Sequence, residues 1–331
     1  MGLYVYLYLY LCLYFGSRQL AEKIILIGNP IAGGGAAFKI KKASDFLINK
    51  GYDVKLMFTG RKGDAETFAR GTAGQPIRLV IAAGGDGTYN EVANGLVGSS
   101  VPMAILPLGT TSVLAQELNI PLALKKALAV AINGAIQTVH LGKITFSRDD
   151  SLSHQTSRVT RYFLLMAGIG FDAEATMGVN ERIKKFTGRG AYFLSGTKVL
   201  LHYSPSPITL SFRQGPADSA PAGNVNGYSA IIGKASYYGG TFKATPDARL
   251  TEPYFYVFVT HRKNRRSLFR YIIGVITGKN ITFRDISYFK AGEIVVDGKS
   301  PVQIDGDYEG TTPAKVEIER NALKLVTPAF F

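Results

Sequence analysis

Between residues 23 and 118 short apolar runs alternate with stretches whose apolar residues recur at helical spacing. Ile24-Ile25-Leu26-Ile27, Tyr52 to Phe58, Ile77 to Ala83 and Ala104 to Pro107 read as strands. Lys39 to Lys50 carries Ile40, Ala43, Phe46 and Leu47 on one side of a predicted helix, and Asp64 to Gly71 and Thr111 to Leu118 read as two more. Strands alternating with helices predict a parallel sheet whose ligands sit at the carboxyl ends of the strands. The glycine-rich turns fall at those ends: Asn29-Pro30 with Gly33-Gly34-Gly35, and Gly84-Gly85-Asp86-Gly87-Thr88.

After about Leu141 the pattern changes. Phe163 to Ala167, Tyr228 to Ile232, Tyr254 to Val259, Ile281 to Phe283, Glu293 to Val296 and Val302 to Ile304 are short β-rich runs bounded by turn residues, which predicts an all-β second domain. Ala173 to Tyr203 and Arg265 to Thr277 interrupt it with helical potential. Arg148 to Thr160 and Gln214 to Gly227, rich in Ser, Asp, Gly and Pro, read as exposed loops.

A chain of 331 residues exceeds the size at which one core stops growing, and 46% hydrophobic residues suffices for two domains. The net charge of +14 points to anionic partners. Nucleic acid is the weaker choice among these, because no nucleic-acid module or zinc spacing is present. The single cysteine, Cys12, excludes an internal disulfide framework and fits a reducing compartment. Leu3 to Phe15 is uncharged and alternates leucine with tyrosine. It is shorter than the ~20 residues of a spanning helix and lacks the basic start of a signal peptide. An interfacial anchor, an extra strand and a plain extension stay open for it.

The turn from Gly84 to Thr88 follows a buried strand and opens a helix, so its backbone N–H groups face an anion. Asp86 within it would repel phosphate unless a cation intervenes, which suggests nucleotide-bound Mg²⁺. The Asn29 to Gly35 turn offers a second cradle or a merely flexible loop. Glu91, in the first turn of its helix, fits either the helix dipole or a ligand role. Asp305-Gly306-Asp307 is first of all a hairpin-turn signal.

Gly84-Gly85-Asp86-Gly87-Thr88 followed by Asn90-Glu91-Val92 and Asn94-Gly95-Leu96 resembles the diacylglycerol kinase catalytic domain, a family that includes sphingosine and ceramide kinases. Asn29-Pro30, Thr59, Leu106 to Thr110, Gly168 to Asp172, Pro246-Asp247-Ala248 and Asp305 to Asp307 agree with it in order, from about Lys23 onward. The resemblance implies an α/β nucleotide-binding domain of the NAD-kinase and phosphofructokinase kind, followed by a C-terminal all-β sandwich. The divisions expected are an extension over 1–20, a nucleotide domain over 21–141, a lipid-substrate domain over 142–318, and a closing strand over 319–331 returning to the first domain.

The implied activity is ATP- and Mg²⁺-dependent phosphorylation of a lipid hydroxyl, with diacylglycerol as default acceptor and a sphingoid base or ceramide as alternatives. Asn29, Pro30, Gly33, Gly34, Gly35, Thr59, Gly84, Gly85, Asp86, Gly87, Thr88, Tyr89, Asn90, Glu91 and Thr110 would then border the nucleotide. Asp307, standing where the family has glutamate, and Asp305 are the candidates for the base, with Asp86 behind them. Pro246 to Glu252 resembles a block that binds a structural Mg²⁺ in bacterial members. Here Glu252 and the carbonyls of Arg249 and Tyr254 would hold it, although Pro253 replaces the usual glycine. Two further departures are Ser112-Val113 and His140, both where aspartates near the nucleotide metal are common. Basic-apolar stretches at Glu181 to Arg189 and His261 to Ile276 suit an anionic membrane surface, and the implied location is the inner face of the cytoplasmic membrane. A soluble acceptor, as in NAD kinases, and a silent lipid-binding protein remain alternatives.

Overall fold

The computed structural model describes residues 21–109, 111–149, 156–177, 204–213 and 223–329. Four parallel strands open the chain: β1 (Lys23–Gly28), β2 (Asp53–Phe58), β3 (Leu79–Gly84) and β4 (Met103–Pro107), in the order β2-β1-β3-β4. Strands β3 and β4 are buried throughout, whereas β2, at the sheet edge, alternates between exposed and half-buried positions. Helices α1 (Ala36–Asn49), α2 (Asp64–Arg70), α3 (Asp86–Leu96), α4 (Val113–Glu117) and α5 (Leu124–Asn133) accompany them. Helix α1 buries Ile40, Ala43 and Leu47, three of the residues whose spacing predicts it. Helix α5, with Ala127, Leu128 and Ala131 buried, is an element that the pattern reading did not include.

The remaining described strands are β5 (Ala135–Asp149), β6 (Thr156–Phe163), β7 (Met166–Ile169), β8 (Ile208–Arg213), β9 (Val225–Gly227), β10 (Ser229–Gly233), β11 (Tyr237–Tyr238), β12 (Phe242–Lys243), β13 (Phe255–Thr260), β14 (Ile286–Ala291), β15 (Glu293–Gly298), β16 (Pro301–Ile304) and β17 (Asp307–Thr327). Helix α6 (Phe171–Met177) follows β7, and α7 (Arg265–Thr277) follows β13. Strand β17 joins the two halves. It pairs antiparallel with β5 along most of its length and reaches β4 in parallel at Leu325 and Met103. One sheet therefore runs from β14 through β13, β10, β7, β16 and β17 into the parallel strands. Both β5 and β17 pass uninterrupted through positions 141 and 319, where composition places domain boundaries.

Two expectations are corrected. Residues 148–160 are not one exposed loop: β5 and β6 form an antiparallel ribbon from Gly142 opposite Phe163 to Asp149 opposite Thr156. Its polar outer face carries cross-strand pairs such as Thr145 and Thr160, whose hydroxyls lie 2.9 Å apart, so its composition resembles a loop. Ile281 to Phe283 is not a strand. Gly278 ends α7 in a left-handed conformation (φ 71°), and a 3₁₀ turn over Asn280–Thr282 follows. Of the helical stretch expected over Ala173 to Tyr203, the described part is helical through Met177; the rest, like the 1–20 extension, most of the 214–227 loop and the basic stretch at 181–189, lies outside the described residues.

Candidate functional site

The turns at the carboxyl ends of β1, β2, β3 and β4 are tied to one another. Asn29 donates its N–H to the Ala83 carbonyl (2.9 Å), Thr59 to Gly28 (2.9 Å), and Leu108 and Gly109 both to Gly84 (2.9 and 3.0 Å). The Asn29 carboxamide accepts the Ile31 N–H at 3.0 Å, closing the turn that Pro30 begins. Gly33 packs so closely on the Leu108 carbonyl that a Cβ there would lie 2.5 Å from its oxygen. By contrast Gly34, Gly35 and Gly87 face open space, where an anion can approach the backbone.

Within the Gly84 to Glu91 segment the structure separates lining groups from supports. Tyr89 is fully buried. Its hydroxyl donates to the Gly84 carbonyl (2.7 Å) and reaches that of Leu106 (3.2 Å), so it braces the turn from the core side, and burial holds its pKa above the usual phenol range. Thr88 is likewise buried against Gly84. Both side chains face the core. Glu91 accepts the Ala65 N–H (3.1 Å) at the start of α2, a cap on that helix. Asp86 lines the cleft while its two oxygens accept the Val113 and Leu114 N–H groups, each at 2.9 Å, at the start of α4. Burial pushes its pKa up to about 6 against the pull of those donors, and the nearby Asp305 adds to the rise. Thr110 lies outside the described residues.

Asn90 reaches across to the second domain. Its amide donates to Asp305 (2.8 Å) and to the Tyr162 carbonyl (3.0 Å). Asn94, one helical turn on, donates to the same carbonyl (2.9 Å) and accepts the Tyr162 N–H (3.0 Å). Sequence reading gave Asn94 no role, yet its i+4 spacing from Asn90 places both on one helix face.

Asp305 and Gly306 form the two-residue turn of the β16–β17 hairpin, both with positive φ (48° and 92°), as Asp-Gly favours. The Asp305 carboxylate is fully engaged: it accepts the N–H groups of Leu164, Leu165 and Met166, each at 2.9 Å, besides Asn90. Burial raises its pKa. Asp307, by contrast, is 45% exposed and lies 3.2 Å from the Lys62 ammonium, which also binds Glu309 at 2.9 Å. Burial alone would lower the Lys62 pKa, but the two carboxylates prevail and raise it.

A cleft of about 670 Å³ runs from Asp86 and Gly87 past Asp305, Gly306 and Asp307 into the β domain. There its wall is apolar, formed by Phe171, Ile231, Phe258, Leu268 and Ile272 among others. A carboxylate stands in that wall beside Ser229 and Thr260. Asp172 is buried, with its pKa raised by burial, and accepts hydrogen bonds from the Tyr238 hydroxyl and the Gln303 amide. The Gln303 carbonyl oxygen accepts the Gly306 N–H at 2.7 Å, so Asp172 and the Asp-Gly turn are linked through one side chain. Helix α7 closes the apolar end. Asn264 caps it by accepting the Ser267 N–H (2.7 Å). Leu268 and Tyr271 are buried, while Phe269, Ile273 and Ile276 remain exposed beside the exposed Lys263, Arg265 and Arg266. Among the described residues no helix is long and apolar enough to cross a membrane.

The residues expected to hold a structural Mg²⁺ do not assemble a metal site. The Arg249 carbonyl accepts a hydrogen bond from the Lys234 ammonium, which is fully buried. The Glu252 carboxylate takes the Tyr256 hydroxyl (3.4 Å) and lies 3.9 Å from the Lys290 ammonium. A divalent ion would have to share this corner with a buried cation, and its oxygen donors are already spoken for.

Comparison with known proteins follows the same division. The diacylglycerol kinase catalytic domain matches residues 23–144, and the YegS C-terminal NAD kinase beta sandwich-like domain matches residues 166–327. A diacylglycerol kinase of Bacillus subtilis (strain 168) is 28% identical over 270 residues, covering 80% of this chain and 82% of its own length. One from Staphylococcus saprophyticus is 26% identical over 316 residues, covering 93% of this chain and 96% of its own. A crystal structure from Bacillus anthracis str. Sterne, provisionally named a diacylglycerol kinase, shares the fold with a TM-score of 0.70 at 21% identity, covering 94% of this chain and 98% of that one.

Proposed function

The chain belongs to the diacylglycerol kinase catalytic-domain family and is a lipid kinase, and from that premise we propose that it transfers the γ-phosphoryl group of ATP to the hydroxyl of a diacylglycerol-like lipid at an anionic membrane surface. The observation that carries this reading is the cleft itself: the open Gly87 turn at one end, an apolar wall at the other, and Asp307 between them.

The open amides around Gly34, Gly35 and Gly87 receive the phosphates. The donor set suits the Mg²⁺ that accompanies ATP as part of the substrate. Asp86 and Asp305 place two buried carboxylates beside the turn with no paired cation among the described residues, and Asp86 is the residue that would hold the ion, which neutralises phosphate charge. Acyl chains lie along Phe171, Ile231, Phe258 and the inner face of α7, which brings the headgroup to the Asp172, Tyr238 and Gln303 cluster. The lipid oxygen attacks the γ-phosphorus, the bond to the bridging β–γ oxygen breaks, and ADP leaves with that electron pair. Asp307 takes the hydroxyl proton, a task suited to a partly exposed carboxylate and unsuited to Asp305 with four donors already in place. Asp305 is then the anchor that fixes the turn.

The exposed Phe269, Ile273 and Ile276 of α7, of which Phe269 and Ile276 also line the mouth of the cleft, are flanked by Lys263, Arg265 and Arg266 and suit seating in an anionic bilayer so that the lipid passes directly under the helix. The apolar wall argues against a soluble acceptor such as NAD. Incubation of the protein with γ-labelled ATP, Mg²⁺ and vesicles of total lipid extract tests the proposal. Label in phosphatidic acid is the expected product. Label in a sphingoid or ceramide phosphate would change the acceptor, and label in a soluble product alone would overturn the lipid reading.

A further inference from the structure

Lys234, one residue beyond β10, has a fully buried side chain, which is rare for lysine without a dedicated partner set. Its backbone is pinned by a hydrogen bond from its N–H to the Leu165 carbonyl (2.8 Å), with the Ala235 N–H on the same oxygen (3.0 Å). Its ammonium donates to the Arg249 carbonyl. Burial draws the Lys234 pKa down to about 7, and the carboxylates of Glu252 and Glu117 act in the opposite direction.

Glu117 comes from the last turn of α4 in the nucleotide domain. It is itself buried and accepts the Ser236 N–H (3.0 Å), the Ser236 hydroxyl (2.8 Å) and the Tyr237 N–H (3.2 Å). His140, on β5, completes the corner. Its N–H donates to the Leu250 carbonyl (3.0 Å), and its Nδ1 accepts the Asn321 N–H (3.0 Å). Burial and then the charge of Lys234 depress the His140 pKa. The corner expected to hold a divalent ion thus has one carbonyl on a buried ammonium, and Pro253 where the family resemblance implies glycine.

We propose that Lys234 replaces the structural Mg²⁺ expected at this position, supplying a covalently tethered cation that joins the Arg249 to Glu252 segment of the β domain to Glu117 of the nucleotide domain. The departure at position 253 acquires a cause. A tethered ammonium needs no free coordination sphere, which leaves position 253 open to proline. The proposal concerns this corner alone and holds whatever the acceptor turns out to be.

The test uses the whole chain without nucleotide and does not read turnover. Thermal unfolding of the wild type in EDTA, and again with Mg²⁺ restored, should give one midpoint, and calorimetric titration with Mg²⁺ alone should show no saturable binding. Lys234→Met keeps the length of the side chain and removes the charge. It removes the donor from the Arg249 carbonyl and the positive charge that acts on Glu252 and Glu117, and should lower the midpoint by roughly 6–20 °C. Lys290→Met, which removes the exposed neighbouring cation, should change it little. A wild-type midpoint that falls in EDTA and recovers with Mg²⁺, or saturable Mg²⁺ binding without nucleotide that Lys234→Met leaves intact, would overturn the proposal. If Lys234→Met does not fold, the two wild-type measurements still decide it.

Discussion

Replacing Asp305 and Asp307 one at a time separates an anchor from a base. Asp305→Ala deprives three backbone N–H groups and one arm of Asn90 of their acceptor inside the protein, and each buried donor left alone costs about 1–3 kcal/mol. Asn90 keeps the Tyr162 carbonyl, and losing a buried carboxylate returns part of the desolvation cost. Alanine at φ 48° adds ~1 kcal/mol. A net loss of about 4 kcal/mol follows, which for a chain of this size lowers the melting temperature by roughly 8–16 °C. Asp307→Ala removes an ion pair whose two side chains are 45% and 63% exposed, and Lys62 keeps Glu309, so stability should change by no more than ~0.5 kcal/mol. Its kcat should fall about 10²–10⁴-fold with nucleotide affinity unchanged. The assays are thermal unfolding, nucleotide binding by calorimetry, and lipid phosphorylation, run on the same preparations. The reasoning fails if Asp307→Ala melts as low as Asp305→Ala, or if it turns over within a few-fold of wild type.

Tyr89→Phe removes the hydroxyl that braces the Gly84 carbonyl and should cost about 1–2 kcal/mol of stability while raising the KM for ATP more than it lowers kcat, as steady-state kinetics would show. Asp86 titrates at about 6 in the folded protein against 3.8 ordinarily, so the native state holds the extra proton between those values. Stability of the nucleotide-free protein should therefore decline as pH rises through that window and level off above it, and Asp86→Asn should flatten this component in denaturant titrations across pH. Lys263→Gln with Arg266→Gln should weaken binding to anionic vesicles about 30-fold, at ~1 kcal/mol per basic residue, while neutral vesicles and high salt remove the difference. Co-sedimentation indifferent to these changes would remove α7 from the membrane contact.

Periodicity by itself determined the alternating first half, because buried parallel strands and amphipathic helices leave local signatures: Ile24 to Ile27 and the Ile40, Ala43, Leu47 face of α1 are readable without neighbours. The glycine turns were legible for the same reason, since only a strand running directly into a helix places them at the sheet's edge. What each residue in those turns does was not legible. Tyr89 and Thr88 differ from Gly87 in which way they point, and that direction is set by core packing on Gly84. Gly95, part of the same motif, faces α2, where a Cβ would lie 2.5 Å from the Glu66 carbonyl oxygen. The ribbon of β5 and β6 was misread because a strand pair with a polar outer face has loop composition until its partner is known. Asp305 and Asp307 are two residues apart and chemically identical. Only the tertiary structure, by bringing Leu164, Leu165, Met166 and Asn90 to one of them and Lys62 to the other, decided which is held by four donors and which is paired with a cation. The same holds for Lys234: its charge is in the sequence, but its burial against the Arg249 carbonyl between two domains arises from contacts more than ten residues apart along the chain, which no local pattern encodes.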